Sequence, residues 1–338
     1  MTTRRQLLTV FAASALAHPA IGQTRTRMRF SLNLPRNGSN LPFLFGREKG
    51  FFAEEGIDIT DMDPASGADA AIRVASNAYD ASFADITGMP ELAQRSPDAI
   101  PLAVFNVFRT TPASVVTWAR DGITKPADLV GKTLGGPITD NGFRLFPVFF
   151  KQNGLDPSTV SFVNMDLRLR EQAFVRREVM GITGFDSTIW LNLKLLGVKR
   201  EDISIMNYSA HGLDIYGNTV LVSRRFVRDH EAAIPGFLRA VARSWREAAR
   251  DPKTASETLT RIDSLIRADI EEERFRWVLQ HQVLTPETAS VGLGPIDRGR
   301  MQRGLDLIGQ AFGVTSRLDL DRIWTDKYMP ERAARAVG

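Results

Sequence analysis

The chain has 338 residues, no cysteine and a formal net charge of +4, which excludes disulfide scaffolds, thiolate metal sites, a cysteine nucleophile and a lipidated N-terminal cysteine. Its 43 basic and 39 acidic residues form no long Lys/Arg run interleaved with aromatics, so nucleic acid is not an expected partner. The length exceeds the usual size of one hydrophobic core, and two lobes are expected.

The first segment reads as an address. Thr3-Arg4-Arg5-Gln6-Leu7-Leu8 is a twin-arginine pattern, and the apolar run from Leu7 to Ala17 is too short to cross a bilayer core of roughly 30 Å. Small residues at Ala20-Ile21-Gly22 suit a cleavage site, so residues 1–22 are expected to be a twin-arginine signal peptide and Gln23 the start of a periplasmic chain. Without Arg4 and Arg5 the 43 basic residues become 41 against 39 acidic, a net of +2. No later stretch approaches about 20 uninterrupted apolar residues, which predicts a soluble mature chain.

Beyond the signal, residues 28–34 alternate and predict a strand. The turn-rich loop 35–40 leads to a helix over 41–49, closed by Gly50. A strand begins at 57–59, a helix spans 68–76, a short strand 81–84 ends at Asp85, a helix covers 89–94 and a strand 100–107. Strand and helix alternate, which implies a mostly parallel sheet with helices on its faces. A second block repeats the pattern. It has strands at 113–118, 131–136, 160–163, 179–182 and 204–206, a helical turn at 125–129, and helices at 141–152 (Asp140 as N-cap) and 187–196. After a strand at 218–223 the chain reads as helical: 226–230, 232–250, 252–262, 268–280 and 296–312.

Five stretches carry a family resemblance. Arg47-Glu48-Lys49-Gly50-Phe51-Phe52-Ala53-Glu54-Glu55-Gly56-Ile57-Asp58-Ile59 resembles the "E-K-G-F-F-x-x-E-G-L-D-V" segment of periplasmic solute-binding proteins of the sulfonate, nitrate, taurine and thiamine-precursor class. Ser66-Gly67-Ala68-Asp69-Ala70 and Val74-Ala75-Ser76-Asn77-Ala78-Tyr79-Asp80 resemble that family's glycine loop and "V-A-S-G-x-x-D" helix end, with Asn77 where the family usually has glycine. Lys125-Pro126-Ala127-Asp128-Leu129-Val130-Gly131-Lys132 is similar to its "x-P-x-D-L-x-G-K". Trp324-Thr325-Asp326-Lys327-Tyr328-Met329-Pro330 is similar to the close of the thiamine-precursor branch.

The resemblance implies an α/β fold of the type II periplasmic-binding-protein kind, with two lobes, each a mostly parallel sheet flanked by helices, and the ligand in the cleft between them. It places the crossings near 109–113 and 210–218, lobe one at 28–110 plus 218–338, and lobe two at 111–217. It further implies a monomer that closes by a hinge on a small molecule and delivers it to an ABC permease and ATPase in the inner membrane.

In such sheets ligands sit beyond the C-terminal strand ends, where loops expose N–H groups and helix N-termini. Six loops are therefore candidates. Asn33, Pro35 and Asn37 keep part of the thiamine-precursor branch's "D-W-x-P-N-x-x-H" loop without its Trp and His, and Asn37-Gly38 is equally readable as a turn. Ser66-Gly67 opens a helix as a ligand donor or as an ordinary cap. Asp85 can accept from a ligand N–H or from the amides of its own turn, a carboxylate at a strand tip being costly to bury unpaired. Thr139 can donate to a ligand, with Asp140 beside it as plain N-cap. Phe185 offers a stacking wall and Asp186 a carboxylate or a second N-cap. Tyr216 and Asn218 stand at the return crossing with Gly212 and Gly217. Amides, hydroxyls, two carboxylates and aromatics suit a small neutral or cationic heteroaromatic of thiamine-pyrimidine-precursor type. A sulfonate or nitrate would call on Arg36 and Arg144.

The competing class is an exported enzyme. The chain shows no G-x-G-x-x-G after a strand, no P-loop and no G-x-S-x-G elbow, and His18, His211, His230 and His281 lack metal-ligand spacing. Neither a cofactor nor a metal is expected. A eukaryotic relative of the fold makes the thiamine pyrimidine with its own His and a Cys-rich, iron-dependent motif, and this chain has no cysteine. The reading is a binder rather than an enzyme.

Overall fold

The computed structural model describes residues 25–65 and 69–337. The expected signal peptide, and Ser66 and Gly67 of the second candidate loop, lie outside the described residues. Ten strands run in chain order: β1 (Thr26–Ser31), β2 (Ile57–Asp63), β3 (Ala81–Asp85), β4 (Leu102–Asn106), β5 (Ala113–Trp118), β6 (Thr133–Gly136), β7 (Ser161–Asn164), β8 (Gly181–Phe185), β9 (Ile203–Asn207) and β10 (Asn218–Val222). They make two five-stranded sheets, ordered β2-β1-β3-β10-β4 and β7-β6-β8-β5-β9.

Both sheets are mixed in the same way. In the first, β1 pairs in parallel with β2 and β3, and β10 runs antiparallel between β3 and β4. In the second, β6 pairs in parallel with β7 and β8, and β5 runs antiparallel between β8 and β9. The reversed strand is in each case the one that enters directly from a crossing between the sheets. The crossings themselves run side by side: Thr111 N–H donates to Ile215 O (3.1 Å) and Gly217 N–H to Phe108 O (2.9 Å).

Helices cover both faces of each sheet, so β3, β4, β8 and β10 are buried at every residue. That explains why they read as apolar runs rather than alternating ones. The first core centres on Phe43, whose ring lies 4.9 Å from both Phe30 and Phe83 and 6.0 Å from Trp245. Helix Ile234–Arg250 supplies Phe237, Val241 and Trp245 to it. The second sheet packs on Phe146, Phe149 and Tyr208 from one side and on Phe174, Ile189 and Trp190 from the other.

Boundaries differ from the sequence reading in informative places. The first strand stops at Ser31, because Asn40 draws residues 34 and 35 into a tight loop by donating to both carbonyls. The expected helix 268–280 ends at Val278 and continues as one π turn, Leu279–Val283, where it meets the crossings. Arg170–Val175 is a helix that the sequence did not announce, its charged residues being turned inward. Asn77 adopts φ 59°, the left-handed region that glycine and asparagine tolerate. Glycine's usual place in the resembling motif is thus met by a side chain that tolerates this region better than most. No helix among the described residues is long and apolar enough to cross a membrane.

Candidate functional site

The C-terminal ends of the parallel strands of both sheets face one another, with the crossings at one side. Asn33 follows β1, Asp85 ends β3, and Asn218 begins β10 directly opposite Asp85 in the antiparallel register. From the second sheet come Asp140 and Asn141, beyond β6, and Phe185, the last residue of β8. Asn33, Leu34, Asp85, Asp140, Asn141, Phe185 and Asn218 enclose a cavity of about 20 Å³. This is room for a water and too little for a six-membered ring, so the arrangement is a closed one that must part to admit a ligand.

The first-sheet side is polar and unsaturated. Asp85 Oδ1 accepts from the Thr87 N–H (2.9 Å) and hydroxyl (2.7 Å), while its Oδ2 has no partner among the described residues. Asn33 Oδ1 accepts from Asn40 at 3.3 Å, and its amide nitrogen is unpartnered. Neither side-chain atom of Asn218 has a partner. All three residues are at least nine-tenths buried. Buried polar atoms are nearly always bonded, and leaving one unmet costs about 1–3 kcal/mol. Three such side chains around one cavity mark a place prepared for an incoming group.

The second-sheet side depends on two glycines. A Cβ on Gly142 would fall 2.2 Å from the Gly184 nitrogen, and one on Gly184 would fall 2.2 Å from Arg170 Nη1. Close approach of these loops sets Asp140 and Phe185 on the same cavity. Asp140 Oδ1 caps its helix by accepting from Gly142 N–H at 2.7 Å, and its Oδ2 lies 3.8 Å from Arg170 Nη1. Arg170 is fully buried and also bound to Glu171 (2.6 Å) and Thr183 O (3.1 Å). Burial pushes the Asp140 carboxyl up against the pull of Arg170 and the Gly142 N–H, with Glu171 and Asp85 adding to the rise. Burial likewise pushes Asp85 up, opposed by the Thr87 hydroxyl and N–H, the Asn141 side chain and the charge of Arg144.

An outer groove of about 420 Å³ opens beside this cavity. It lies between helices Asp69–Ala75 and Met89–Arg95 on one side and Ile138, Thr139 and Arg144 on the other, and the Arg144–Glu91 ion pair crosses it.

The structure thus brings together Asn33, Asp85, Phe185 and Asn218 of the expected residues and leaves the other described ones, Asn37, Thr139, Asp186 and Tyr216, elsewhere. Asn37 serves its own loop, accepting from Ser39 N–H at 2.8 Å. Thr139 lines the outer groove. Asp186 is fully buried and spent on structure: it accepts from Ser187 N–H (2.6 Å), Asn207 (2.7 Å) and Gln282 (2.9 Å). Tyr216 donates to Glu287 and accepts from Asp297 N–H (2.9 Å), behind the crossings. The lining residues that sequence reasoning passes over are Leu34, Asn141 and Asp140, the last read as a cap only. A cap uses one carboxylate oxygen, and nothing local says where the other points.

The histidines lie away from the cavity. His281 stacks on Trp277 at 4.1 Å, His230 packs on Phe226, and His211 sits beside Phe149. Among the described residues no three His, Cys, Asp or Glu side chains are grouped as a metal site.

The profile of the NMT1/THI5 like family matches residues 37–255. The chain belongs to this family. Among curated relatives, a 4-amino-5-hydroxymethyl-2-methylpyrimidine phosphate synthase of Legionella pneumophila is 21% identical over 319 residues, 92% of this chain and 95% of that protein. A formylaminopyrimidine-binding protein of Halalkalibacterium halodurans is 26% identical over 241 residues, 69% and 71% of the two chains. Among solved structures, the periplasmic aliphatic sulphonate binding protein of Escherichia coli superposes with a TM-score of 0.69 at 14% identity, covering 88% of this chain and 92% of that one. The periplasmic nitrate-binding protein of Synechocystis gives 0.64 at 13%, covering 92% and 88%. The family member therefore has the type II periplasmic-binding-protein fold, with its cleft between the two sheets.

Proposed function

We propose that this family member is the periplasmic solute-binding component of an ABC importer, capturing a small neutral or cationic heteroaromatic of pyrimidine type and handing it to a permease and ATPase in the inner membrane. The observation that carries the ligand class is the set of unpartnered atoms on Asp85, Asn33 and Asn218 facing Phe185 across the cleft. A carboxylate oxygen accepts from a ring amine, the two amides match ring nitrogens or a further N–H, and offset stacking on Phe185 adds about 0.5–1.5 kcal/mol. The relatives support the class: the Legionella and Halalkalibacterium proteins are both named for pyrimidines. Sulfonate or nitrate fits this cavity worse, since its charged lining residues are carboxylates.

Because one relative is named as a synthase, binding must be separated from turnover. Support for a binder comes from the chain itself: it has no cysteine, and its three described histidines stand away from the cavity. Residues 23–338 are titrated by calorimetry with aminopyrimidines, thiamine, nucleobases, alkanesulfonates and nitrate, and the bound compound is then recovered and weighed. Stoichiometric binding of a pyrimidine recovered unchanged supports the reading. A sulfonate or nitrate isotherm moves the chain to the anion-binding branch, and a pyrimidine newly made from added precursors makes it an enzyme.

A further inference from the structure

Asp85 and Asp140 are the two carboxylates on the cavity, and they come from different sheets. Asp85 is 7% exposed and the Asp140 side chain 14%, and the arginines near them hold other partners as well. Arg170 serves Glu171 as well as Asp140, and Arg144 is paired with Glu91 while its charge also acts on Asp85. Around the closed cavity two guanidinium groups therefore face four carboxylates. Like charges brought together out of water repel far more strongly than in bulk solvent.

We propose that Asp140 makes closure of the cleft conditional on a ligand that brings positive charge, or an edge with two N–H donors, to both Asp85 and Asp140, and that it thereby sets the protein's preference against anions. This rests on the importer reading above. With the sheets apart, each carboxylate keeps its own partners and water. Closing without a ligand buries both, with Asp85 Oδ2 unmet. An amidine-like edge, ring N–H beside exocyclic amine, spans the two acceptors and removes the repulsion, whereas a sulfonate adds to it. A ligand shifts a conformational equilibrium only by its difference in affinity for the two states, and this arrangement supplies that difference from charge alone. Phe185 and the asparagines then shape the ring site without having to drive closure.

The test uses Asp140→Asn. Asparagine caps helices as well as aspartate, so helix Asn141–Gln152 keeps its start while the charge is lost. Asp140→Glu is the companion that keeps the charge. The chain is free of cysteine, so single cysteines at exposed Asp61 and Lys151, one beside each sheet, take a fluorophore pair without background. Ligand-free wild type and Asp140→Glu are expected to populate mainly the long-distance state, and Asp140→Asn to raise the short-distance population several-fold. In calorimetry Asp140→Asn is expected to bind 4-aminopyrimidine at least tenfold more weakly and to narrow the preference for it over methanesulfonate.

An unchanged distance distribution in ligand-free Asp140→Asn overturns the proposal whatever the ligand. So does an unchanged affinity ratio. If Asp140→Asn closes as expected while no ring compound binds the wild type, the importer reading for heteroaromatics falls and the charge gate stands.

Discussion

Two buried polar regions of this protein lie close together in the chain and behave in opposite ways. Asn218 faces the cleft with both side-chain atoms unmet, while Tyr216, two residues earlier, belongs to a cluster behind the crossings in which the polar groups are bonded. There Arg300 donates to Arg109 O (2.8 Å), Asp214 (2.8 Å) and Glu287 (3.1 Å), and its guanidinium lies 4.1 Å over the Tyr216 ring. Arg109, 1% exposed, donates to Pro295 O, Gly292 O (2.5 Å), Thr288 (3.3 Å) and Asn106 (3.3 Å). A saturated network fixes geometry, since any movement leaves a buried group unmet. An unsaturated one is stable only if something else completes it. The saturated cluster around Arg109 and Arg300 therefore holds the crossings in place, and the unsaturated cleft is the place proposed above for a ligand.

Substitutions can break this contrast, and the largest effect belongs to the saturated side. Arg109→Met leaves the Pro295 and Gly292 carbonyls without their guanidinium donor and Glu287 with Arg300 as its remaining cation, and breaking a buried charged network of this kind costs about 3–5 kcal/mol. Urea denaturation should show that loss, and an unchanged midpoint would mean that the cluster does not hold the crossings. Next, Asp85→Asn removes the charge that meets the ligand while keeping the shape. Loss of a hydrogen bond to a charged group, about 1.5–3 kcal/mol, predicts a ten- to hundredfold weaker isotherm with no loss of folding. Equal affinity in the two proteins would remove Asp85 from the site.

The Tyr216 hydroxyl is a smaller lever. Tyr216→Phe should cost about 1 kcal/mol of stability and leave ligand affinity within twofold, whereas a large loss of affinity would place Tyr216 on the ligand side of the contrast. Phe185→Leu keeps an apolar wall without the ring face and should weaken an aromatic ligand by about threefold to tenfold. An alicyclic analogue should not notice the change, and equal losses for both would refute stacking.

The smallest effect is in pH. Burial raises the Asp85 carboxyl in the folded state, so the folded chain holds a proton that the unfolded chain releases. Its contribution favours folding in acid and is lost as pH rises from the ordinary carboxylate range through the raised value. Asp85→Asn lacks this term. Its melting temperature relative to wild type should be higher at pH 7 than at pH 4, and a difference that is flat or reversed across that window would contradict the unpaired burial of Asp85.

Much of the fold was legible from the residues. Apolar runs punctuated by glycine and turn residues gave the alternation of strand and helix, because strands covered on both faces must be apolar throughout. The chain leaves the first sheet after β4 and returns to it at β10. Half-visible was the site. Asp85 and Phe185 could be proposed because they end strands, and strand ends of this class face the cleft.

Choosing among equivalent-looking residues was a different matter. Asp140 and Asp186 both stand at a helix start after a strand: Asp140 caps its helix by accepting from Gly142 N–H, and Asp186 opens its helix and accepts from Ser187 N–H. What separates them arrives from far along the chain: Gln282, 96 residues away, and Asn207 satisfy Asp186, while no such donors reach the second oxygen of Asp140 apart from Arg170 at 3.8 Å. The sequence by itself determined the α/β alternation, the likeness to a binding-protein family and the loops at the strand ends, all of which follow from local patterning. Only the tertiary structure decided which carboxylate has its oxygens taken up by the frame and which keeps one oxygen with no donor nearer than Arg170 among the described residues, because hydrogen-bond satisfaction is a property of groups brought together by folding.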